Sequence, residues 1–107
     1  LGESDLVFSA AKAGIQVLGP EHLTAAERVV VLCDVNAVPP AGIAGVEVMA
    51  DGAPVPDTPQ GALGIGALAV GNVKYQTQQT LLQQMVEAER PLYLSFEQAF
   101  SVAREKV

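Results

Sequence analysis

Asp34 and Asn36 close the apolar run Val29-Val30-Val31-Leu32-Cys33 and precede Val38-Pro39-Pro40-Ala41-Gly42-Ile43. A β-branched run that ends in an acid, an amide, two prolines and a glycine reads as a buried strand opening into a stiff polar loop. Loops at the carboxyl ends of strands are where open α/β sheets hold their ligands. An amide there can both donate to and accept from a ring carboxamide. The structural alternative is that Asp34 and Asn36 only satisfy neighbouring backbone N–H groups.

Other reactive side chains are sparse. Cys33 is the single cysteine, so it forms no internal disulfide, and its place at a strand end suits a small core residue. A thiolate nucleophile would need a base, and the only histidine, His22, belongs to a different segment and reads as a surface residue or local cap. Lys12 lies in the small-residue turn Ala11-Lys12-Ala13-Gly14-Ile15, where it could face a phosphate or a carbonyl, or simply water. Lys74 is the only cation before Arg90 in the long helical pattern and could polarise a substrate, or equally be solvated.

Gly64-Ile65-Gly66-Ala67-Leu68-Ala69 matches the G-x-G-x-x-A dinucleotide fingerprint. That fingerprint needs a strand before it, a helix opening on it, and an acid closing a second strand about 20 residues on. Here the pattern simply continues as helix to Ala88, and only Leu92 to Leu94 could make the second strand, so the match reads as a decoy. The glycines then serve close helix packing and a backbone approach to a ligand at the helix N-terminus.

The elements that must position these groups are legible from patterning. Asp5 to Ala10 reads as a short strand, Pro20 opens a short helix after Gly19, and Val29 to Val35 reads as a strand covered on both faces, which together make a βαβ unit. Gly45 to Gln60 reads as a surface excursion with at most a short strand at Val46 to Met49. Val70, Val73, Thr77, Leu81 and Met85 recur at helical spacing and imply an amphipathic helix reaching about Ala88. Ser95 with Gln98 forms a capping-box signal for a last helix, with Phe96, Ala99, Phe100, Ala103 and Val107 on one face.

With 107 residues there is room for one domain, and a 50% hydrophobic content carried by Ala, Val, Leu and Ile favours α/β layers. A net charge of −6 without a basic cluster excludes nucleic acid and anionic membrane as partners. The apolar stretches Val29 to Cys33 and Ala62 to Val70 are far short of the roughly 20 residues of a membrane span. The chain reads as soluble and cytoplasmic.

Asp34 to Ile43 taken together with Gly61-Ala62-Leu63-Gly64-Ile65-Gly66 resembles the methylene-tetrahydromethanopterin dehydrogenase family. The upstream Leu6-Val7-Phe8-Ser9-Ala10-Ala11-Lys12-Ala13-Gly14-Ile15-Gln16-Val17-Leu18 is similar to that family's strand and small-residue turn, so separated motifs in the same order cover most of the chain. The resemblance implies an enzyme that moves a hydride from the methylene carbon of a pterin C1 carrier to NAD or NADP, leaving the methenyl form and needing no metal. It implies the C-terminal half of a Rossmann-like, mostly parallel sheet flanked by helices. The glycine-rich phosphate loop and an N-terminal substrate domain are absent from these residues, so the expectation is one partial domain over 1–107 that binds cofactor weakly alone.

On this resemblance Ala10, Ala11 and Gly14 lie along the nicotinamide through backbone contacts, and Asp34 and Asn36 flank nicotinamide and pterin. Gly42, Ile43, Gly64 and Gly66 shape the substrate cleft wall, with Lys74 as a further contact to the pterin. Tetrahydrofolate is the competing carrier. Another Rossmann oxidoreductase, or a binding and assembly module without chemistry, is the competing function. The apolar helix face from Val70 to Met85 calls for cover, and a homo-oligomer is expected.

Overall fold

A computed structural model describes all 107 residues, in two compact units spanning 1–70 and 71–107. The first unit holds β1 (Leu6–Ser9), α1 (Pro20–Thr24), β2 (Val31–Asp34), β3 (Asp51–Pro54) and β4 (Leu63–Ile65). The long α2 (Ala67–Glu87) starts in it and continues into the second unit, which also contains α3 (Phe96–Glu105).

The four strands form one sheet in the order β1-β2-β4-β3. β1 runs parallel to β2 with Leu6 opposite Val31 and Phe8 opposite Cys33, and β2 runs parallel to β4 with Leu32 opposite Gly64. The β1-α1-β2 unit expected from patterning is present, although its helix is a single short turn seated on Gly19 and Pro20. This mostly parallel sheet with helices is a partial Rossmann-like α/β fold. No helix is long and apolar enough to cross a membrane.

Strand alternation sorts the apolar residues by face. Leu32 and Val7 turn to the side where Leu23, Ala26, Val29, Ile43, Val46, Val55 and Ala62 form the core. Leu6, Phe8, Val31, Cys33, Leu63 and Ile65 alternate with them on the opposite side, where Phe8 is 74% exposed.

The stretch from Gly45 to Gln60 corrects the expectation of a mere surface excursion. Val46 and Val55 are core residues, and the strand lies at Asp51–Pro54 rather than Val46 to Met49, pairing antiparallel with β4 as the sheet edge. Gly52, at φ +80°, is the extra residue where Asp51 pairs with Ile65 and Ala53 with Gly64. Such a bulge favours glycine, which carries no Cβ penalty at positive φ. Pro54 sits at an edge, where its missing N–H costs no ladder bond.

β4 runs into α2 with only Gly66 between them. A Cβ on Gly66 would lie 2.1 Å from the Glu47 carbonyl oxygen and 2.5 Å from that of Val48, so the 47–48 backbone rests directly on this glycine. The Gly66 N–H donates to the Ala50 carbonyl at 2.8 Å and the Leu68 N–H to the Val48 carbonyl at 2.8 Å. The start of α2 is thereby capped by the chain's own carbonyls, and the expected backbone approach to a ligand at this helix end is not what the glycine serves.

In the second unit the expected α2 stripe is only partly buried. Thr77 is buried and donates its hydroxyl to the Val73 carbonyl at 2.7 Å, Val73 and Leu81 are half-buried, and Met85 is exposed. Leu92 to Leu94 form no strand. At α3 the Gln98 Oε1 accepts both the Ser95 N–H and its hydroxyl at 2.8 Å, which is the back-reaching half of the capping box. On α3 Val102 is buried and Ala99 and Ala103 are half-buried, while Phe96 at 80% exposure, Phe100 and Val107 beyond the helix end are exposed. The expected face is therefore divided, its alanines half-buried and its phenylalanines and Val107 exposed.

Gly66→Ala is expected to lower stability by about 1–3 kcal/mol or to prevent folding, because backbone rather than a flexible side chain occupies the space. Urea titration followed by circular dichroism reads this, and an unchanged midpoint would contradict the packing described.

Candidate functional site

Parallel strands present their carboxyl ends on one edge, so the residues after β1 and β2 emerge side by side. After β2, the Asp34 carboxylate is 1% exposed. Its Oδ1 accepts the Asn36 N–H at 3.0 Å and its Oδ2 accepts the Ile43 N–H at 3.1 Å, closing the whole 34–43 loop on one side chain. Gly42 packs on this carboxylate: a Cβ there would stand 2.8 Å from Asp34 Oδ1 and 3.0 Å from Ser9 Oγ. The Ser9 hydroxyl, from the end of β1, is buried without a hydrogen-bond partner. The Gly42 carbonyl accepts the Val17 and Leu18 N–H groups at 2.8 and 3.0 Å, tying the segment before α1 to the same loop.

Asn36 organises the loop from within. Its Oδ1 accepts the Val38 N–H at 2.9 Å and the Gly14 N–H at 3.4 Å, and its Nδ2 donates to the Pro40 carbonyl at 3.0 Å. The Pro39-Pro40 bond is cis. Gly14, at φ +77°, adopts a backbone conformation that favours glycine and lies against Val38 and Pro39. The β1 turn and the β2 loop, far apart in sequence, are thus joined through one amide. Ala10, Ala11, Lys12 and Ala13 are exposed, and their chain turns at Ala13-Gly14.

Beyond Asn36 opens a cleft of ≈ 510 Å³, within the about 300–1,000 Å³ typical of small-molecule sites. One wall is the loop from Asn36 to Ala41, and the other is Gly45 to Val48. Most of its lining is apolar.

The expected site residues divide accordingly. Asn36 lines the cleft, with Gly14 held to its amide and Ala10 and Ala11 exposed at the end of β1. Asp34 and Ile43 are corrections, since both are interior: Asp34 spends its oxygens on backbone N–H groups, and the Ile43 side chain belongs to the core. Gly42 is buried beneath the loop. Gly64 and Gly66 also lie behind the wall, Gly64 because a Cβ would press on Val55 and Val46, and Gly66 because the 47–48 backbone covers it. They support the cleft without lining it. Lys12 is exposed. Lys74 is exposed on α2 in the second unit and forms no ion pair.

His22 is a cap: its Nδ1 accepts the Gly19 N–H at 3.0 Å. The neighbouring Glu21 carboxylate at 3.3 Å is then no ion pair, because an accepting Nδ1 carries no proton. Burial, with a smaller contribution from the Asp34 charge, pushes the Cys33 thiol up, which disfavours a thiolate. No three His, Cys, Asp or Glu side chains converge to hold a metal ion.

Patterning missed Glu47 as a cleft residue. It is the only charged residue between Asp34 and Asp51, a signal that was available but carried no information about which way the Gly45 turn aims it.

The fold and site together define a partial Rossmann-like α/β domain with a cleft at the carboxyl ends of parallel strands. The chain is 52% identical over 103 residues to the NAD(P)-dependent methylenetetrahydromethanopterin dehydrogenase of Methylorubrum extorquens, a match that covers 96% of this chain. The resemblance read from separated motifs therefore extends along nearly the whole sequence. The chain spans about a third, 34%, of that relative's length. No family model matches it.

Asp34→Asn replaces one carboxylate oxygen with an NH₂ group that faces a backbone donor, and should cost about 1–3 kcal/mol. Thermal denaturation measures the loss, and an unaltered midpoint would show that the loop does not depend on this carboxylate. For Cys33, a thiol pushed up by burial holds less thiolate than a free cysteine at the same pH. Iodoacetamide at mildly alkaline pH should leave it unmodified in the folded protein and alkylate it in urea, as mass spectrometry would report.

Proposed function

We propose that this chain forms part of an NAD(P)-dependent dehydrogenase acting on a methylene-bearing pterin C1 carrier, with tetrahydromethanopterin as the carrier and tetrahydrofolate as the runner-up. The observation that carries the reading is the 52% identity over 96% of the chain to a relative whose name states that activity. The geometry agrees with it in two respects.

Residues 1–107 form one part of the nucleotide domain, and their fit to the cofactor is selective. The exposed backbone from Ala10 to Ala13, beside Gly14, suits the carboxamide of a nicotinamide. The α2 N-terminus, already capped by the Val48 and Ala50 carbonyls, does not suit the pyrophosphate. When bound, the nicotinamide cofactor supplies the hydride acceptor.

This chain's own residues then act by placement. Loss of a hydride from the methylene carbon leaves a methenyl cation stabilised by its flanking nitrogens, so no acid or base is required of the protein. Asn36 holds the β1 turn and the β2 loop at a fixed separation, and the apolar walls Ala37 to Ala41 and Val46 to Val48 exclude water from the ring face. In this reading Asn36 borders both ligands, and Asp34, Gly42, Ile43, Gly64 and Gly66 act behind the wall. Lys74 is assigned a carbonyl contact to the carrier on the resemblance alone. Exposed apolar positions such as Phe8 and Phe100 favour a homo-oligomer, and two soluble reactants favour the cytoplasm.

The full-length gene product should reduce NAD or NADP when given methylene-tetrahydromethanopterin, followed by the absorbance of the reduced nicotinamide. Asn36→Ala should cut kcat/KM about tenfold or more by loosening the loop. No reduction of either nucleotide with either pterin carrier would sink the reading.

A further inference from the structure

We infer that Glu47 is the residue that selects the pterin, by accepting hydrogen bonds from the N–H edge of its ring. The inference rests on the pterin-dehydrogenase reading above and goes beyond it by naming a recognition residue.

Among the residues that line the cleft, Asn36 and Glu47 have polar side chains. The Asn36 amide is engaged at both ends within the loop, its oxygen with two backbone N–H groups and its nitrogen with the Pro40 carbonyl. Glu47 makes no side-chain hydrogen bond and no ion pair, although its backbone is fixed. Its carbonyl accepts the Ala50 N–H at 3.0 Å, the following Val48 carbonyl accepts the Leu68 N–H at 2.8 Å, and both carbonyls rest on Gly66. The pinned backbone fixes the point at which the free Glu47 side chain leaves the main chain beside the cleft.

An ionised carboxylate only accepts hydrogen bonds, and its two oxygens match two parallel N–H donors. The amino-pyrimidinone edge of a pterin offers such a pair, an exocyclic amine and the adjacent ring N–H, on a flat body that suits walls of Ala37, Val38, Pro39 and Val46. A phosphate would be repelled, since no cation lines the cleft and the chain carries a net charge of −6. Of the two reactants, the carrier ring therefore belongs in this cleft, and the nucleotide phosphates do not.

Glu47 is exposed, so its substitution leaves the core intact. Steady-state kinetics on the full-length gene product with Glu47→Gln, Glu47→Ala and Glu47→Asp would test it. The carrier KM should rise about ten- to hundredfold in the Gln and Ala variants, as expected for a lost charged hydrogen-bond pair, with partial recovery in Asp. The nucleotide KM should stay within about twofold. An unchanged carrier KM, or an equal rise for the nucleotide, would overturn the assignment while leaving the dehydrogenase intact. A wild-type protein that neither turns over nor binds the methylene carrier, by calorimetric titration, would overturn both.

Discussion

The Asp34 carboxylate is the constraint on which the candidate site depends. It sits at the last position of β2, where strand alternation directs it inward, and water cannot solvate it there. A buried carboxylate is tolerable only when it is hydrogen-bonded, and the Asn36 and Ile43 N–H groups supply those bonds. Because the donors are seven residues apart in the chain, satisfying one acid folds the entire loop back on itself and leaves Asn36 pointing towards the β1 turn. The same loop then places Ile43 in the core and Gly42 over Ser9. Polar satisfaction and hydrophobic packing are therefore one event here.

The opposite wall is held by a different device. Gly66 removes a side chain where two backbones would otherwise collide, and the carbonyls of Val48 and Ala50 take up N–H groups at the start of α2. That arrangement exchanges a potential anion site for a rigid wall. It also resolves the ambiguity of the G-x-G-x-x-A stretch. A strand and a helix do flank it, β4 and α2, but its second glycine faces protein backbone, and no second strand follows at Leu92 to Leu94.

One face of the sheet is packed by the first unit's own core, whereas Leu6, Phe8 and Leu63 on the other are substantially exposed. Parallel sheets are ordinarily covered on both faces. The outward residues of α3, Phe96 and Phe100, are exposed as well. These residues span about a third of the length of the dehydrogenase relative.

Local patterning was enough for β1, β2, α2 and α3, because each has a period or a cap that neighbours cannot disguise: the continuous apolar run into Asp34, the spacing from Val70 to Met85, the Ser95 and Gln98 pair. The family resemblance was likewise legible, carried by short motifs whose order survives without any structure. The edge strand was not, since Asp51-Gly52-Ala53-Pro54 has no strand propensity and pairs only because β4 offers an open edge. The roles within the site also required the fold. Asp34 and Ile43 are interior while Glu47 reaches the cleft, and that division follows from which backbone donors lie near a buried acid and which turn rests on Gly66. Sequence alone determined β1, β2, the long helices and the family resemblance; tertiary packing decided the remaining strands and which residues face the cleft, because burial and hydrogen-bond satisfaction are set by neighbours distant in the chain.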